Sequence, residues 1–220
     1  MLVKEINSHT DWITKQRECI SSICKKDWKY VDIGACRGEV LGALIESMDE
    51  GWVFEPDPNN YRSLKDGIDN LNLPDSKKIT LENLAVSNKE SESKFYPNGS
   101  HMGSLSSVSL DGKTEYTNYI YVKTVSLDNY FQDKKLDFIK MDVEGHEWEI
   151  FEGAENLLSQ DIIWQVEFHE TPTSDWNNIN KIYDLGYRLF DLDFNLLPKS
   201  SSRIYNGFLS KFNINDLIKK

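Results

Sequence analysis

The chain has 220 residues, of which 39% are hydrophobic and 12% are aromatic, so it can bury the core of one globular domain. Its formal net charge of −11, with no stripe of Lys or Arg, argues against nucleic acid as a substrate. No apolar run approaches the roughly 20 residues that cross a bilayer, and residues 1–9 lack the apolar stretch of a signal peptide. We therefore expect a cytoplasmic protein that binds neither nucleic acid nor membranes.

The cysteine content agrees with that compartment. Cys19, Cys24 and Cys36 form no C-x-x-C pair, and an odd number of cysteines suits a reducing environment better than a disulfide framework. We expect all three to be free thiols.

Strand and helix patterns alternate from residue 30 onward, which predicts an α/β fold with a parallel sheet. We expect a single domain over 1–220, with a helical extension at 1–29 and the core at 30–212. In chain order, the predicted strands begin at 30 and then lie at 51–55, 79–86, 120–125, 136–143 and 162–168, with a closing antiparallel pair at 187–194 and 205–212. Predicted helices lie at 10–26, after 38, from 58 to about 71, after 128, at 146–159 and at 176–185, with a hairpin and loop at 88–111.

Two of these helices carry further detail. Asp57 is predicted to cap the helix that Pro58 starts, because the missing N–H of proline costs nothing in a first turn. The helix at 146–159 has one broad apolar face, which places its glutamates largely on the outside. These glutamates are Glu147, Glu149, Glu152 and Glu155.

A glycine-hinged loop follows the first strand of the core. Gly34 and Gly38 lack a Cβ, so the backbone can turn sharply there and approach a bound nucleoside closely. Glu55 ends the next strand, 21 residues after Gly34. A nucleotide-binding α/β unit places its ribose-hydroxyl acceptor at about this distance. The pattern predicts a cofactor site.

The choice of cofactor depends on Cys36. A dinucleotide fingerprint, G-x-G-x-x-G, has glycine at this position, and an extra side chain obstructs a pyrophosphate on the turn. The D-x-G-x-x-x-G pattern followed by an acidic strand end instead resembles motif I and the acidic loop of class I S-adenosylmethionine-dependent methyltransferases.

Further segments of the sequence resemble one particular methyltransferase family. The chain resembles the FkbM-type methyltransferases at residues 31–38, 54–64, 83–87, 103–105, 125–128 and 138–147, in that order. The nearly diagnostic stretch is Ile139-Lys140-Met141-Asp142-Val143-Glu144-Gly145-His146-Glu147. The resemblance implies a Rossmann-like, seven-stranded, mostly parallel sheet with helices on both faces. It also implies S-adenosylmethionine as cofactor and a hydroxyl on a sugar, glycan or other small molecule as acceptor. We expect substrate choice to depend on the two ends of the chain and on a loop at 97–118.

The resemblance also assigns cofactor-binding residues. Glu55 would accept both ribose hydroxyls through its two carboxylate oxygens. Arg37 either reaches the cofactor carboxylate or points outward. The remaining expectations are Asp32 with the backbone of Gly34, Ala35 and Gly38 at the methionine end, Asn83 with Ala85 beside the adenine, and Pro56 and Asp142 nearby.

Acidic and histidine side chains follow two strands that we expect to be adjacent. Asp142, Glu144, His146 and Glu147 follow one strand, and Glu167 and His169 follow the next. We favour His169 as the catalytic base, with Asp142 and Glu144 orienting the acceptor hydroxyl. The metal alternative is Mg²⁺ or Mn²⁺ held by Asp142, Glu167 and His169. Glu144, His146 and Glu147 also lie at a helix start, where acids simply complement the helix dipole.

Two other classes of function stay open at this point. A non-catalytic partner protein would bind S-adenosylmethionine without transferring the methyl group. An NAD-dependent oxidoreductase is disfavoured by Cys36 and by the lack of a recognisable Tyr-x-x-x-Lys pair. The sequence pattern leaves the acceptor and the oligomeric state open.

Overall fold

A computed structural model describes residues 2–97, 103–169, 176–199 and 206–218, with side chains from residue 12 onward. Part of the expected substrate loop, residues 98–102, lies outside the described residues, as does the start of the last predicted strand. Among the described helices, none combines the length and the hydropathy needed to cross a membrane.

The described elements follow the predicted alternation. The helices are α1 Leu2–Ile23, α2 Leu41–Ser47, α3 Pro58–Asp69, α4 Leu127–Phe131, α5 Glu147–Glu152, α6 Glu155–Ser159 and α7 Ile179–Asp184, with 3₁₀ turns at Trp176–Asn178 and Ile214–Leu217. The strands are β1 Lys29–Ile33, β2 Glu50–Phe54, β3 Lys78–Glu82, β4 Ala85–Val86, β5 Ser91–Phe95, β6 Ile120–Val125, β7 Phe138–Met141, β8 Ile163–Glu167, β9 Arg188–Phe190 and β10 Asn206–Ser210.

The main sheet has seven strands in the order β3-β2-β1-β7-β8-β10-β9. The first five run parallel, and β10 is antiparallel to both of its neighbours. The expected Rossmann-like sheet with a closing antiparallel pair is therefore confirmed. The chain leaves β1 for β2 on one side and later returns to β7 on the other, which opens a crevice at the carboxyl ends of these strands.

The two faces of this sheet bury separate cores. Tyr30 and Phe138 point to the face covered by α1 and α2, whereas Val31 and Ile139 point to the face covered by α4 to α7. Strands covered on both faces are apolar at successive positions, which explains why the period-two alternation of a half-exposed strand is missing there. Cys19, Cys24 and Cys36 are free thiols, as expected.

The predicted strand at 79–86 is wrong as a single element. β3 joins the main sheet, whereas β4 pairs with β6 in a second sheet of order β4-β6-β5. The chain bends between them at Asn83, whose side-chain amide donates to the backbone oxygens of Glu55 at 2.8 Å and Pro56 at 3.0 Å. This contact between the ends of two strands redirects the backbone. A pattern of strand propensity along the sequence does not predict such a contact.

The predicted helix at 146–159 is also wrong as a continuous helix, because it breaks between α5 and α6. At the break, the carbonyl of Gly153 accepts from the N–H of Asp128 at 3.0 Å. A Cβ on Gly153 would lie 2.4 Å from the backbone oxygen of Ser87, so the backbone packs directly against the residue after β4. The carboxylate of Asp128 then caps α6 by accepting from the N–H groups of Asn156 at 2.9 Å and Leu157 at 3.1 Å.

Candidate active site

The glycine-hinged loop between β1 and α2 adopts left-handed backbone conformations. The φ angles of Gly34, Cys36 and Gly38 are +72°, +52° and +83°. A Cβ on Gly34 would lie 1.9 Å from the backbone oxygen of Asp142, so only glycine lets β1 exit beside β7. The N–H groups of Gly34 and Ala35 both donate to the carbonyl of Phe54, at 3.0 and 3.3 Å. The loop is thus clamped between the ends of β2 and β7.

Glu55 directly follows β2 and points its carboxylate at this loop. It is only 4% exposed, and its Oε2 accepts from the N–H of Cys36 at 2.7 Å while Oε1 accepts from that of Asp57 at 2.8 Å. Burial raises the pKa of Glu55 to about 7, although both backbone bonds oppose the rise. A carboxylate has about four lone-pair sites, so two remain for a ribose diol. Asp57 also caps α3 as predicted, accepting from the N–H of Asn59 at 2.7 Å.

Lys140 supports the same loop from below, and sequence reasoning missed it. Its Nζ donates to the backbone oxygen of Gly34 at 2.9 Å and lies 3.3 Å from Oδ1 of Asp32. Burial raises the pKa of Asp32, and the charge of Lys140 offsets part of that rise. Asp32 therefore lies behind the loop, paired with Lys140. The sequence signal that could have revealed its role is a lysine within the otherwise apolar β7.

The loop, Glu55 and the end of β7 line one cleft of about 670 Å³, counted with its open mouth. Of the expected site residues, the cleft is lined by Gly34, Glu55, Pro56, Ala85, Asp142 and Glu144. The others lie outside this lining: Asp32, Ala35, Arg37, Gly38, Asn83, Glu167 and His169. The Arg37 side chain is exposed and that of Asn83 holds the exits of β2 and β3 together. The lining also includes Leu84, Phe95, Ser104, Leu105 and His146, of which only His146 was a sequence candidate.

The turn after β7 presents Glu144 to the cleft. Glu144 and Gly145 have φ angles of +53° and +95°, an uncommon pair because Glu144 carries a side chain. The hydroxyl of Ser104 donates to the backbone oxygen of Glu144 at 2.9 Å, and the N–H of Gly145 donates to Oε1 of Glu147 at 3.0 Å. The strained turn is therefore held from both sides.

His169, after β8, lies behind Glu144. Its Nδ1 donates to Oε1 of Glu147 at 2.8 Å, and its Nε2 lies 3.5 Å from Oε2 of Glu144 and 3.6 Å from Oε1 of Glu167. Burial lowers the pKa of His169, but the bond to Glu147 and the surrounding acids outweigh it and raise the pKa to about 9. Burial and the charge of Asp142 raise the pKa of Glu144 to about 7, with His169 opposing.

The predicted outward position of Glu147 is wrong, because this residue is only 1% exposed. Helical periodicity places it with the other glutamates of the segment, but α5 starts at Glu147 and its carboxylate turns back toward His169. A buried imidazole and a buried backbone N–H both need an acceptor there.

His146 lines the cleft on its other side. Its Nε2 and the hydroxyl oxygen of Ser87 lie 2.9 Å apart, within hydrogen-bond distance, and its Nδ1 lies 3.6 Å from a carboxylate oxygen of Glu149. Burial lowers the pKa of His146 below its ordinary value, which favours the neutral ring, while the charges of Glu149, Glu147 and Glu152 oppose this.

A possible cation cluster differs from the expected one. Ligand atoms of Asp142, Glu144 and His169 all lie within 4.8 Å of one another. Glu167, expected in that set, is tied back through Oε2, which accepts from the side-chain amide of Asn206 at 3.3 Å. Two carboxylates and one imidazole are suitable ligands for Mn²⁺ or Mg²⁺.

One solved structure supports the fold described above. The crystal structure of Methyltransferase FkbM from Methylobacillus flagellatus KT has a TM-score of 0.57 at 20% identity, covering 84% of this chain and 43% of that chain. This chain thus spans less than half of that protein. A TehB-like SAM-dependent methyltransferase from Corynebacterium glutamicum ATCC 13032 Kitasato has a TM-score of 0.46 at 12% identity, covering 96% of this chain and 97% of that one.

Sequence comparison identifies the family. No curated protein matches the chain closely enough to count as a relative. The family described as Methyltransferase FkbM domain matches residues 32–189, which is most of the chain and includes the glycine loop, Glu55 and the Asp142 to His169 segments. The chain belongs to the FkbM family of S-adenosylmethionine-dependent methyltransferases.

Proposed function

We propose that this protein is an O-methyltransferase that transfers the methyl group of S-adenosylmethionine to a hydroxyl of a sugar, a glycan or another small molecule. The observation that carries the proposal is that Glu144 lines the same cleft as Gly34 and Glu55. A carboxyl group suited to accept a proton and a carboxylate suited to bind a ribose diol therefore line one cavity.

The residues of the cleft fit the cofactor. Glu55 keeps lone pairs for the ribose diol after accepting its two backbone bonds. Leu84, Ala85 and Phe95 provide an apolar wall for the adenine. When bound, S-adenosylmethionine supplies a methyl group on a positively charged sulfur. Asp32 is committed to Lys140, so in our proposal it supports the loop that holds the methionine end.

The acceptor hydroxyl needs alignment and the loss of a proton. Well-oriented reactants can contribute about 7–11 kcal/mol, and a base adds about 10²–10⁴ in rate. We assign the base to Glu144 rather than to His169, because Glu144 lines the cleft whereas the His169 ring is enclosed behind it. With a pKa of about 9, His169 stays protonated at neutral pH and stabilises the Glu144 carboxylate. Asp142 would orient the hydroxyl.

A divalent cation is the second candidate for activating the hydroxyl. Asp142, Glu144 and His169 would hold it, and their convergent ligand atoms favour this alternative. The cation would act as a Lewis acid that lowers the pKa of a coordinated hydroxyl.

The test of the cofactor site is calorimetric titration with S-adenosylmethionine. We expect the native chain to bind and Glu55→Ala to bind at least about tenfold more weakly, because the ribose loses its acceptor. Glu155→Ala, an exposed glutamate on α6, is the matched control and should bind like the native chain. Absence of binding by the native chain would reject the proposal.

The test of methyl transfer uses radiolabelled S-adenosylmethionine and a panel of monosaccharides, oligosaccharides and phenolic glycosides. We expect transfer to at least one of them. Glu144→Gln should lower kcat by about 10²-fold or more, and its affinity for S-adenosylmethionine should not fall. Binding without transfer to any acceptor would instead support a non-catalytic binding partner.

The cation alternative is tested with EDTA in the same transfer assay. If EDTA abolishes transfer and Mg²⁺ or Mn²⁺ restores it, the cation is required. If transfer is unchanged, Glu144 accepts the proton without a cation.

A further inference from the structure

Glu147 joins two segments that are far apart in sequence. A single oxygen, Oε1, accepts from the N–H of Gly145 at 3.0 Å and from Nδ1 of His169 at 2.8 Å. Gly145 belongs to the turn after β7, and His169 follows β8. The carboxylate therefore ties together the exits of the two strands that carry the acidic groups of the cleft.

Burial makes this contact costly to break. Glu147 is 1% exposed and the His169 residue is 5% exposed, so water does not replace either partner. Removing one partner of a buried charged pair leaves the other without compensation. The Glu147 side chain is therefore committed to holding Gly145 and His169, although it does not line the cleft.

Two features of Glu144 depend on this contact. The backbone of Glu144 is left-handed, with a φ of +53°. The Ser104 hydroxyl binds its backbone oxygen, and Glu147 binds the N–H of the next residue, Gly145. The Oε2 of Glu144 lies 3.5 Å from Nε2 of His169, at the opposite end of the ring that Glu147 holds. Glu147 thus reaches Glu144 through the backbone and through the imidazole.

We infer that Glu147 is a positioning residue for methyl transfer, which sets the direction of the Glu144 carboxylate without touching substrate or cofactor. This inference rests on the proposed function, in which Glu144 takes the acceptor proton. It concerns orientation, so it predicts a loss of turnover with no loss of cofactor affinity.

Two variants separate charge from contact. Glu147→Gln keeps the size of the side chain and one oxygen but removes the charge, and Glu147→Met removes both acceptors. The matched control is Glu155→Met, which changes an exposed glutamate on the neighbouring helix. With the acceptor found in the panel, we expect kcat to fall about tenfold in the glutamine variant and further in the methionine variant. The KM and the calorimetric affinity for S-adenosylmethionine should stay within about twofold of the native values. A fall in cofactor affinity equal to the fall in kcat would overturn the inference.

A double-mutant cycle supplies a readout that a merely structural role would not move. In a Glu144→Gln background, Glu147→Gln should lower kcat by less than about twofold, because the group that it positions is already gone. Additive losses would show that Glu147 acts independently of Glu144. The glutamine variant keeps this test valid if the methionine variant does not fold.

A third measurement needs no acceptor, so it separates failure of the inference from failure of the proposed function. In NMR spectra of the protein with S-adenosylmethionine, we expect Glu147→Met to shift both the Gly145 amide and the His169 ring signals, while the Gly34 amide stays in place. Unchanged His169 and Gly145 signals would overturn the positioning role even if methyl transfer is confirmed. Absence of transfer by the native chain, with these shifts present, would reject the proposed function alone.

Discussion

Two carboxyl groups line the same cleft and are both buried, but different groups compensate their charge. Glu55 and Glu144 both have pKa values raised to about 7, chiefly by burial. Glu55 is compensated by two backbone N–H groups at 2.7 and 2.8 Å. Glu144 is compensated by the His169 ring at 3.5 Å and opposed by the charge of Asp142. In the proposed function, Glu55 belongs to the cofactor half of the cleft and Glu144 to the acceptor half. The group that compensates the carboxyl is then backbone in the cofactor half and a side chain in the acceptor half.

This difference determines what each half tolerates. Backbone donors are fixed by the path of the chain, so the cofactor half should be sensitive to changes that move the loop. Side-chain partners bring charge, so the acceptor half should be sensitive to changes that leave a buried group unpaired.

We expect the largest effect at Lys140, whose Nζ lies near groups on both sides of the cleft: the backbone oxygen of Gly34 at 2.9 Å and Oδ2 of Asp142 at 3.9 Å. Lys140→Met would leave Asp32 as a buried carboxylate without its cation and remove the donor to the backbone oxygen of Gly34. We expect the free energy of unfolding, measured by urea denaturation, to fall by about 3–5 kcal/mol. Lys135→Met, at an exposed lysine, is the control and should change little. Adding Asp32→Asn to Lys140→Met should recover part of the loss, and no recovery would mean that the ion pair is not the cause.

The next change tests whether the loop path alone controls the cofactor half. Gly34→Ala would force a Cβ to within 1.9 Å of the backbone oxygen of Asp142, at a φ of +72°. We expect a loss of about 2–4 kcal/mol in unfolding free energy, together with weaker binding of S-adenosylmethionine. Gly42→Ala is the matched control, because a Cβ on this α2 glycine meets nothing within 4 Å. It should stabilise the protein by about 0.5–1 kcal/mol. Equal effects at both glycines would contradict the role of the loop.

The third change separates binding from stability at Glu55. Its pKa of about 7 in the folded protein exceeds the ordinary value of 4.5. Above pH 7 the carboxylate is therefore charged and buried in the folded protein, whereas it is charged and hydrated in the unfolded chain, and this difference lowers the unfolding free energy. Glu55→Gln removes that charge and should raise the unfolding free energy at pH 8 by about 1–3 kcal/mol, with the gain vanishing below about pH 4.5. Urea denaturation across this pH range measures it. The same variant should bind S-adenosylmethionine poorly, and a loss of stability at pH 8 would show that the two backbone bonds outweigh the burial cost.

The smallest expected effect is a pH dependence that differs between the two halves. As pH falls through 7, Glu55 takes up a proton and accepts the ribose hydroxyls less well, so the Kd for S-adenosylmethionine should rise by up to about tenfold per pH unit. Turnover at saturating cofactor should fall over the same range because Glu144 is protonated. Glu144→Gln should flatten the pH dependence of turnover and leave that of the Kd intact. If Glu144→Gln abolished the pH dependence of both the turnover and the Kd, Glu55 and Glu144 would not act separately.

The conformation of the glycine loop and the position of Glu55 beside it could largely be predicted from the sequence, since their determinants are local. The glycines, Glu55 and the Asp57 cap lie within one strand–loop–helix–strand unit, where backbone conformation and spacing follow from residue type. The family segments extended this prediction to a seven-stranded, mostly parallel sheet, but the order of its strands comes from the structure. The β3 to β4 bend escaped prediction because it depends on Asn83 meeting the exit of a different strand.

Local backbone preferences and periodicity are enough to define the strand–helix alternation, the glycine loop and the acidic residue at the end of the next strand. Four other features depend on contacts between distant segments: the burial of Glu147, the pairing of Lys140 with Asp32, the break at Gly153 and the placement of Glu144 in front of His169. A charged side chain is buried when a specific partner compensates it, and these partners lie on strands that become neighbours only after folding.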